Sequence, residues 1–341
     1  MATTQADEVQ TTVGNIISSS SSRRDAVYFQ SAVVFIGVVG TAANALILYA
    51  MIASKQHKKQ LLIFHQNVFD LCSCVLLVIT YAVKLFDIPL VGRSGYWLCM
   101  ILVNDNLLWC STNGSVINLM SVTIERYLKV VHPALAKKLL RKWVIYSAMV
   151  FAWISSVVYI MALMLSTSAV IDGFCYAMAI WKSRVAEVVH AVWNVLSFYV
   201  LVVFIFVICY WRILVVIRRQ ASIMAGHSGP GSSTTAETQW IRPSGSSTTA
   251  QTQSHKIQSN VVKTMILVSA FYVITWMPIG VFLLVLWVFS LVAFDANLLD
   301  GLTFLMFFYI CANPFIYATK FNPVKRILLG LIPCKNQSQQ A

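Results

Sequence analysis

Seven stretches of this chain, 28–53, 61–84, 98–124, 143–165, 188–211, 264–292 and 298–319, are long, nearly unbroken apolar runs. A helix needs about 20 such residues to cross roughly 30 Å of hydrocarbon, and backbone polar groups in lipid must bond within their own helix. The sequence therefore predicts an all-α membrane protein: a seven-transmembrane helix bundle followed by a short amphipathic helix. Composition agrees, since 58% of the 341 residues are hydrophobic and only 11% are charged. Soluble domains carry about a quarter charged residues.

Polar segments divide the chain. Residues 1–27 are rich in Thr, Ser and Gln and are expected to form an extracellular, disordered amino terminus. They lack the basic-then-apolar start of a cleavable signal, so the first span is expected to direct insertion. The bundle, 28–319, includes a disordered loop at 220–256 in which Gly231–Gln239 is nearly repeated as Gly245–Gln253. Two copies make a linker, not a solenoid. Its Ser/Thr density reads either as phosphorylation sites for an arrestin-like partner or as a flexible spacer. In the tail, 320–341, Val324, Ile327, Leu328 and Leu331 fall at helical spacing beside Lys325 and Arg326, as in a helix lying on a membrane surface. Cys334 is a palmitoylation candidate.

Charge placement sets orientation and partner. Of 25 Lys and Arg residues, 19 lie on the connections that share a side with the carboxyl terminus. The positive-inside bias puts that side, with the 220–256 loop, in the cytoplasm and the amino terminus outside. The formal net charge of +13 thus faces anionic lipid and a cytoplasmic partner, and no nucleic acid is implied.

Asp70 stands deep in the second span, where a carboxylate costs on the order of 3 kcal/mol or more without a partner. It is a candidate functional group; the competing reading is that amides such as Asn44 and Asn313 simply satisfy it. Glu125-Arg126-Tyr127 at the inner end of the third span places an acid beside a base, a pair able to close and to release its arginine. Trp276-Met277-Pro278 and Asn313-Pro314-Phe315-Ile316-Tyr317 each put a proline inside a span, where it removes a backbone hydrogen bond and kinks the helix. A kink serves as a lever or is merely a bend.

In joint order, Asn44, Asp70, Glu125-Arg126-Tyr127, Trp153, Tyr210, Trp276-x-Pro278 and Asn313-Pro314-x-x-Tyr317 resemble the rhodopsin-like (class A) G-protein-coupled receptors over about residues 28–334. The resemblance implies a plasma-membrane receptor, not an enzyme, that takes a peptide or small-molecule ligand from outside and opens its inner face to a heterotrimeric G protein. By the same resemblance Glu125, Arg126, Tyr127, Tyr210, Asn313, Pro314 and Tyr317 form the coupling switch, and Tyr272, Trp276 and Pro278 the toggle. Asp70, Ser115, Trp276 and Asn313 match the family's allosteric sodium site, and Cys99 and Cys175 its outer disulfide. Hard oxygen ligands suit Na⁺.

The chain departs from the family pattern in places. Val202 stands where the fifth span usually has proline, putting its bulge in doubt. Tyr272 replaces a phenylalanine, Gln258 an acid that often locks Arg126, and Ala134 a bulkier contact to the G protein. Cys99 and Arg126 are two residues farther apart than usual. Leu108, where amine receptors carry an aspartate, argues against an amine ligand. Phe307 stands at the lysine of opsins, and no lysine precedes Lys320 in the seventh span, so no covalent retinal is expected. Ligand-pocket candidates are Asp105, Trp109, His190, Asn194 and Asp300, with helix packing or an interfacial aromatic belt as the competing reading.

Other classes fit less well. A transporter would use Asp70 for a coupling ion, but the chain shows no inverted repeat or paired broken helices. A purely structural membrane protein leaves Glu125-Arg126-Tyr127 and Asn313-Pro314-x-x-Tyr317 without a purpose. No catalytic constellation or phosphate-cradling loop is present in the sequence.

Overall fold

The computed structural model describes residues 2–86, 88, 90–171, 174–176, 181, 183–226, 246–289, 296–320 and 322–330. Side chains are described from residue 23 onward, other than 171, 174, 221, 223–226, 246–259, 296, 320, 322 and 323. Cys334, the Gln258 side chain and most of the duplicated loop lie outside these.

The elements run α1 (Ala2–Ala53), α2 (Gln56–Lys59), α3 (Leu61–Leu85), α4 (Gly92–Leu98), α5 (Asn106–Val131), α6 (Pro133–Leu139), α7 (Lys142–Thr167), a hairpin of β1 (Ala169–Ile171) and β2 (Phe174–Tyr176), α8 (Arg184–Val195), α9 (Leu201–Gly226), α10 (Ser246–Phe289), α11 (Ala296–Lys320) and α12 (Asn322–Gly330). Two π-helical turns, Cys99–Val103 and Leu196–Val200, precede α5 and join α8 to α9. Helix bounds run farther than the apolar stretches at α1, and α9 and α10 enter the polar 220–256 connection from both sides.

Among the described residues six helices are long and apolar enough to cross a membrane: the 23–53 part of α1, α3, α7, the continuous 184–220 segment, the 260–289 part of α10, and α11. The remaining span, α5, falls short because it carries Asn106, Ser111, Thr112, Asn113, Ser115, Asn118, Thr123, Glu125 and Arg126, all buried. It needs no apolar coat. It packs against α3, α7, α9 and α10, so protein rather than lipid solvates most of its surface. Phe35, Phe151, Phe204 and Ile274, each more than 60% exposed, lie on outer helices. A soluble fold would bury such side chains; a bilayer covers them.

Close approach at the centre relies on glycine. A Cβ on Gly114 of α5 would collide with the Phe69 ring of α3, and one on Gly280 of α10 with the Tyr199 ring in the second π turn. Phe69 in turn stacks on Trp153 at 4.1 Å, and the Trp153 indole donates to His65 Nε2 at 3.0 Å, tying α7 to α3.

The amino-terminal end of the third span is broken. Cys99–Val103 winds as a π turn, Asn104 ends it, and Asp105 adopts φ 59°, a left-handed conformation tolerated by aspartate, before α5 begins at Asn106. Residues 98–105 of the expected 98–124 span are therefore not one straight helix. The break takes up the extra length between Cys99 and Arg126, so Cys99 still bonds Cys175 in β2, with S–S 2.04 Å. The short α12 buries Val324 and lays Ile327 and Leu328 against the core, beside α1 and α11.

Candidate functional site

Asp70 is fully buried on α3. Its Oδ1 accepts from the Ser115 hydroxyl of α5 at 3.0 Å and from Gln66 Nε2, one turn away, at 3.4 Å. Its Oδ2 accepts from Asn313 Nδ2 of α11 at 3.1 Å. One carboxylate thus joins three spans. Gln66 extends the network, donating also to Ser115 Oγ and accepting from Asn118 Nδ2 at 2.8 Å, while Asn118 also donates to the Leu62 carbonyl at 3.1 Å. Asn44 is not among these partners; its amide donates to the Gly40 carbonyl at 3.0 Å and contacts Cys74 Sγ at 3.6 Å.

The donor set suits a small hard cation. Asp70 and Ser115 supply oxygens, and Asn313 Oδ1 is buried with no partner. Trp276 Nε1, likewise buried and unpartnered, is an N–H donor without a free lone pair, so it can border an ion but not ligate it.

Near the carboxyl end of α5, Arg126 donates to Glu125 at 2.9 Å and to Gln60 Oε1, just before α3. Lys129 also pairs with Glu125. Glu125 and Arg126 are each 3% exposed, and breaking a pair so buried costs about 3–5 kcal/mol. The Tyr127 hydroxyl lies 3.2 Å from His132 Nε2. The Tyr210 hydroxyl lies 3.0 Å from both Thr123 of α5 and Ser269 of α10, bracing three spans. The Tyr317 hydroxyl is buried without a partner.

Aromatic rings of α5 and α10 stack on the side of this layer away from Arg126. Tyr272 lies against Trp276 with ring centroids 5.2 Å apart, and Trp109 meets Trp276 edge-on at 6.4 Å. Pro278 and Pro314 both sit inside their helices. The Tyr272 hydroxyl donates to the Phe198 carbonyl at 2.7 Å. Phe198 belongs to the Leu196–Val200 π turn, so the fifth span does bulge without its proline. A π turn displaces carbonyls from the regular i to i+4 ladder, and the tyrosine oxygen, absent from a phenylalanine, supplies a donor there.

Of the pocket candidates, Trp109, His190 and Asn194 line one cavity with Asn113, Phe198 and Trp276. Its volume of about 70 Å³ is far below the roughly 300 Å³ or more of a drug-sized site. Among the described residues both His190 ring nitrogens are buried and unpartnered, with the Tyr159, Trp181 and Trp287 rings nearby. Asp105 is elsewhere, bound by Lys84 at 2.8 and 2.9 Å. Asp300, half-buried on α11, is not in this lining either.

The sequence alone assigns no role to Gln66, Asn118, Gln60 or the Tyr272–Phe198 bond. Only Tyr272 carried a signal, as a departure from the family pattern; an isolated glutamine in an apolar run indicates polarity but not its partner.

A family model described as 7 transmembrane receptor (rhodopsin family) matches residues 43–317, well over half the chain. No curated protein matches it.

Tyr272→Phe removes one hydroxyl and leaves a buried carbonyl without its donor, a loss of about 1–3 kcal/mol. The purified variant is expected to melt several degrees below the parent. An unchanged midpoint would show that the bond does not brace the bulge.

Proposed function

Because the chain belongs to the rhodopsin family of seven-transmembrane receptors, and is therefore a multi-pass signalling receptor, we propose that it couples an outer ligand to a heterotrimeric G protein across the plasma membrane. The amino terminus lies outside and the carboxyl tail inside. The observation that carries this reading is the buried network centred on Asp70, which joins α3, α5 and α11 between the aromatic cavity and the Glu125–Arg126 pair.

The cavity supports a ligand that presents an uncharged, flat apolar group between Trp109 and Trp276, with His190 and Asn194 offering polar contacts. Such a group, on a small molecule or a peptide, needs more room than the present packing leaves. Making it requires Trp276 to move, and Trp276 carries Tyr272 and the Pro278 kink with it. That displacement pulls at the Tyr272–Phe198 and Tyr210–Ser269 bonds and biases α10 toward a second packing. In that packing Arg126 leaves Glu125 and Gln60 for the G protein, and the unpartnered Tyr317 hydroxyl gains a place to bond. Sodium held by Asp70, Ser115 and Asn313 would neutralise the carboxylate and favour the resting packing. Serine and threonine in the 220–256 connection are proposed as arrestin-recruiting phosphorylation sites, and Cys334 as a lipid anchor.

A panel of heterotrimeric G proteins reconstituted with the receptor tests the coupling. Arg126→Ala is expected to lose most ligand-driven or basal nucleotide exchange, about tenfold or more, while reaching the cell surface normally; exchange at the parent rate would refute the role given to Arg126. Sodium is tested without any ligand. Replacing K⁺ by Na⁺ at constant ionic strength is expected to raise the melting midpoint of the parent and not of Asp70→Asn. An equal response in both would place the ion effect elsewhere.

A further inference from the structure

A second, larger cavity, about 460 Å³, opens on the outside of the bundle between the inner ends of α5 and α7, under α6. Ile124, Leu128, Leu139, Val144, Ile145 and Ala148 give it apolar walls, while Lys138 and Arg141 stand at its rim. Trp143, 65% exposed, also lines it. Glu125 contributes to one wall, but that carboxylate already holds Arg126 and Lys129. Among the described ion pairs neither Lys138 nor Arg141 has an acid. The 26-residue α7 starts beside them with no side-chain cap, adding the partial positive charge of a helix amino terminus.

An oily slot with a cationic mouth fits a molecule with an apolar tail and an anionic head. We propose that this cavity binds one anionic phospholipid of the inner leaflet, its phosphate at Lys138 and Arg141 and an acyl chain along the α5–α7 groove. The assignment of leaflet rests on the orientation proposed above; the binding itself does not. Charge complementarity selects the occupant. A zwitterionic lipid brings a choline cation beside its phosphate and leaves the rim with uncompensated positive charge, whereas a soluble anion would leave the apolar walls uncovered. The tryptophan matches the interfacial depth at which a headgroup sits. Because Glu125 forms one wall, an occupant touches the residue that holds Arg126 in the closed arrangement.

Native mass spectrometry of the full chain in detergent, with phosphatidylserine or phosphatidylcholine added, tests the site. Phosphatidylserine is expected to be retained over phosphatidylcholine, and inorganic phosphate is expected not to displace it. Lys138→Gln with Arg141→Gln should lower retention by at least about fivefold, given two lost cations at the surface. Lys137→Gln with Lys142→Gln, which removes equal charge from residues that do not line the cavity, should leave it within about twofold. Ala148→Phe, which fills the groove, should also lower retention. Equal loss in the two charge pairs would overturn the proposal in favour of a diffuse basic surface. Indifference to headgroup would overturn it in favour of ordinary annular lipid, and displacement by phosphate alone in favour of a free-anion site. None of these readouts depends on orientation or signalling, so each failure leaves the receptor reading untouched.

Discussion

The structure depends on burying a carboxylate where lipid would otherwise make it costly. Asp70 is tolerated because donors from its own helix, α5 and α11 converge on its two oxygens. That requirement fixes how these three spans meet, and α5 bears the consequence. Its polar face exists to serve the interior, which is why it is the least apolar of the spans and sits among the others. Glycine at 114 then lets α3 approach closely enough for short side chains to span the gap.

From this layer the two ends of the bundle acquire different characters. Toward the end that carries the Cys99–Cys175 bond, tryptophans and tyrosines interlock around a narrow cavity. Toward the opposite end, a buried acid–base pair is held by Lys129 on the acid and by the Gln60 amide, at the α2–α3 junction, on the base. Gln60, between α2 and α3, offers Arg126 a neutral acceptor, weaker than a carboxylate.

Much of this was legible in the sequence because lipid imposes simple rules. The span count, the amphipathic helix at 322–330 and the depth of Asp70 follow from length, periodicity and the absence of competing charges. The Cys99–Cys175 bond followed only from resemblance, and the structure forms it. Local backbone was not legible. Nothing in Cys99-Met-Ile-Leu-Val103 announces a π turn, and the left-handed Asp105 is recognisable only once Lys84 is placed beside it. The fifth-span bulge illustrates the same limit: proline is one way to make a bulge, and here a hydroxyl on a neighbouring helix bonds a carbonyl within it instead. Partners such as Gln66 and Asn118 are chosen by three-dimensional proximity across 52 residues of chain, which a one-dimensional pattern does not encode.

The claim that one carboxylate cross-links the spans is tested most directly by a double-mutant cycle. Thermal midpoints of Asp70→Ala, Asn313→Ala and the double variant would be compared with the parent. If the 3.1 Å bond between them is a principal tie of α11 to α3, the double variant falls by much less than the sum of the single losses; the shortfall is expected to reach about 1 kcal/mol or more. Strictly additive losses would mean that the two residues stabilise the bundle independently, and the account built on their contact would fail.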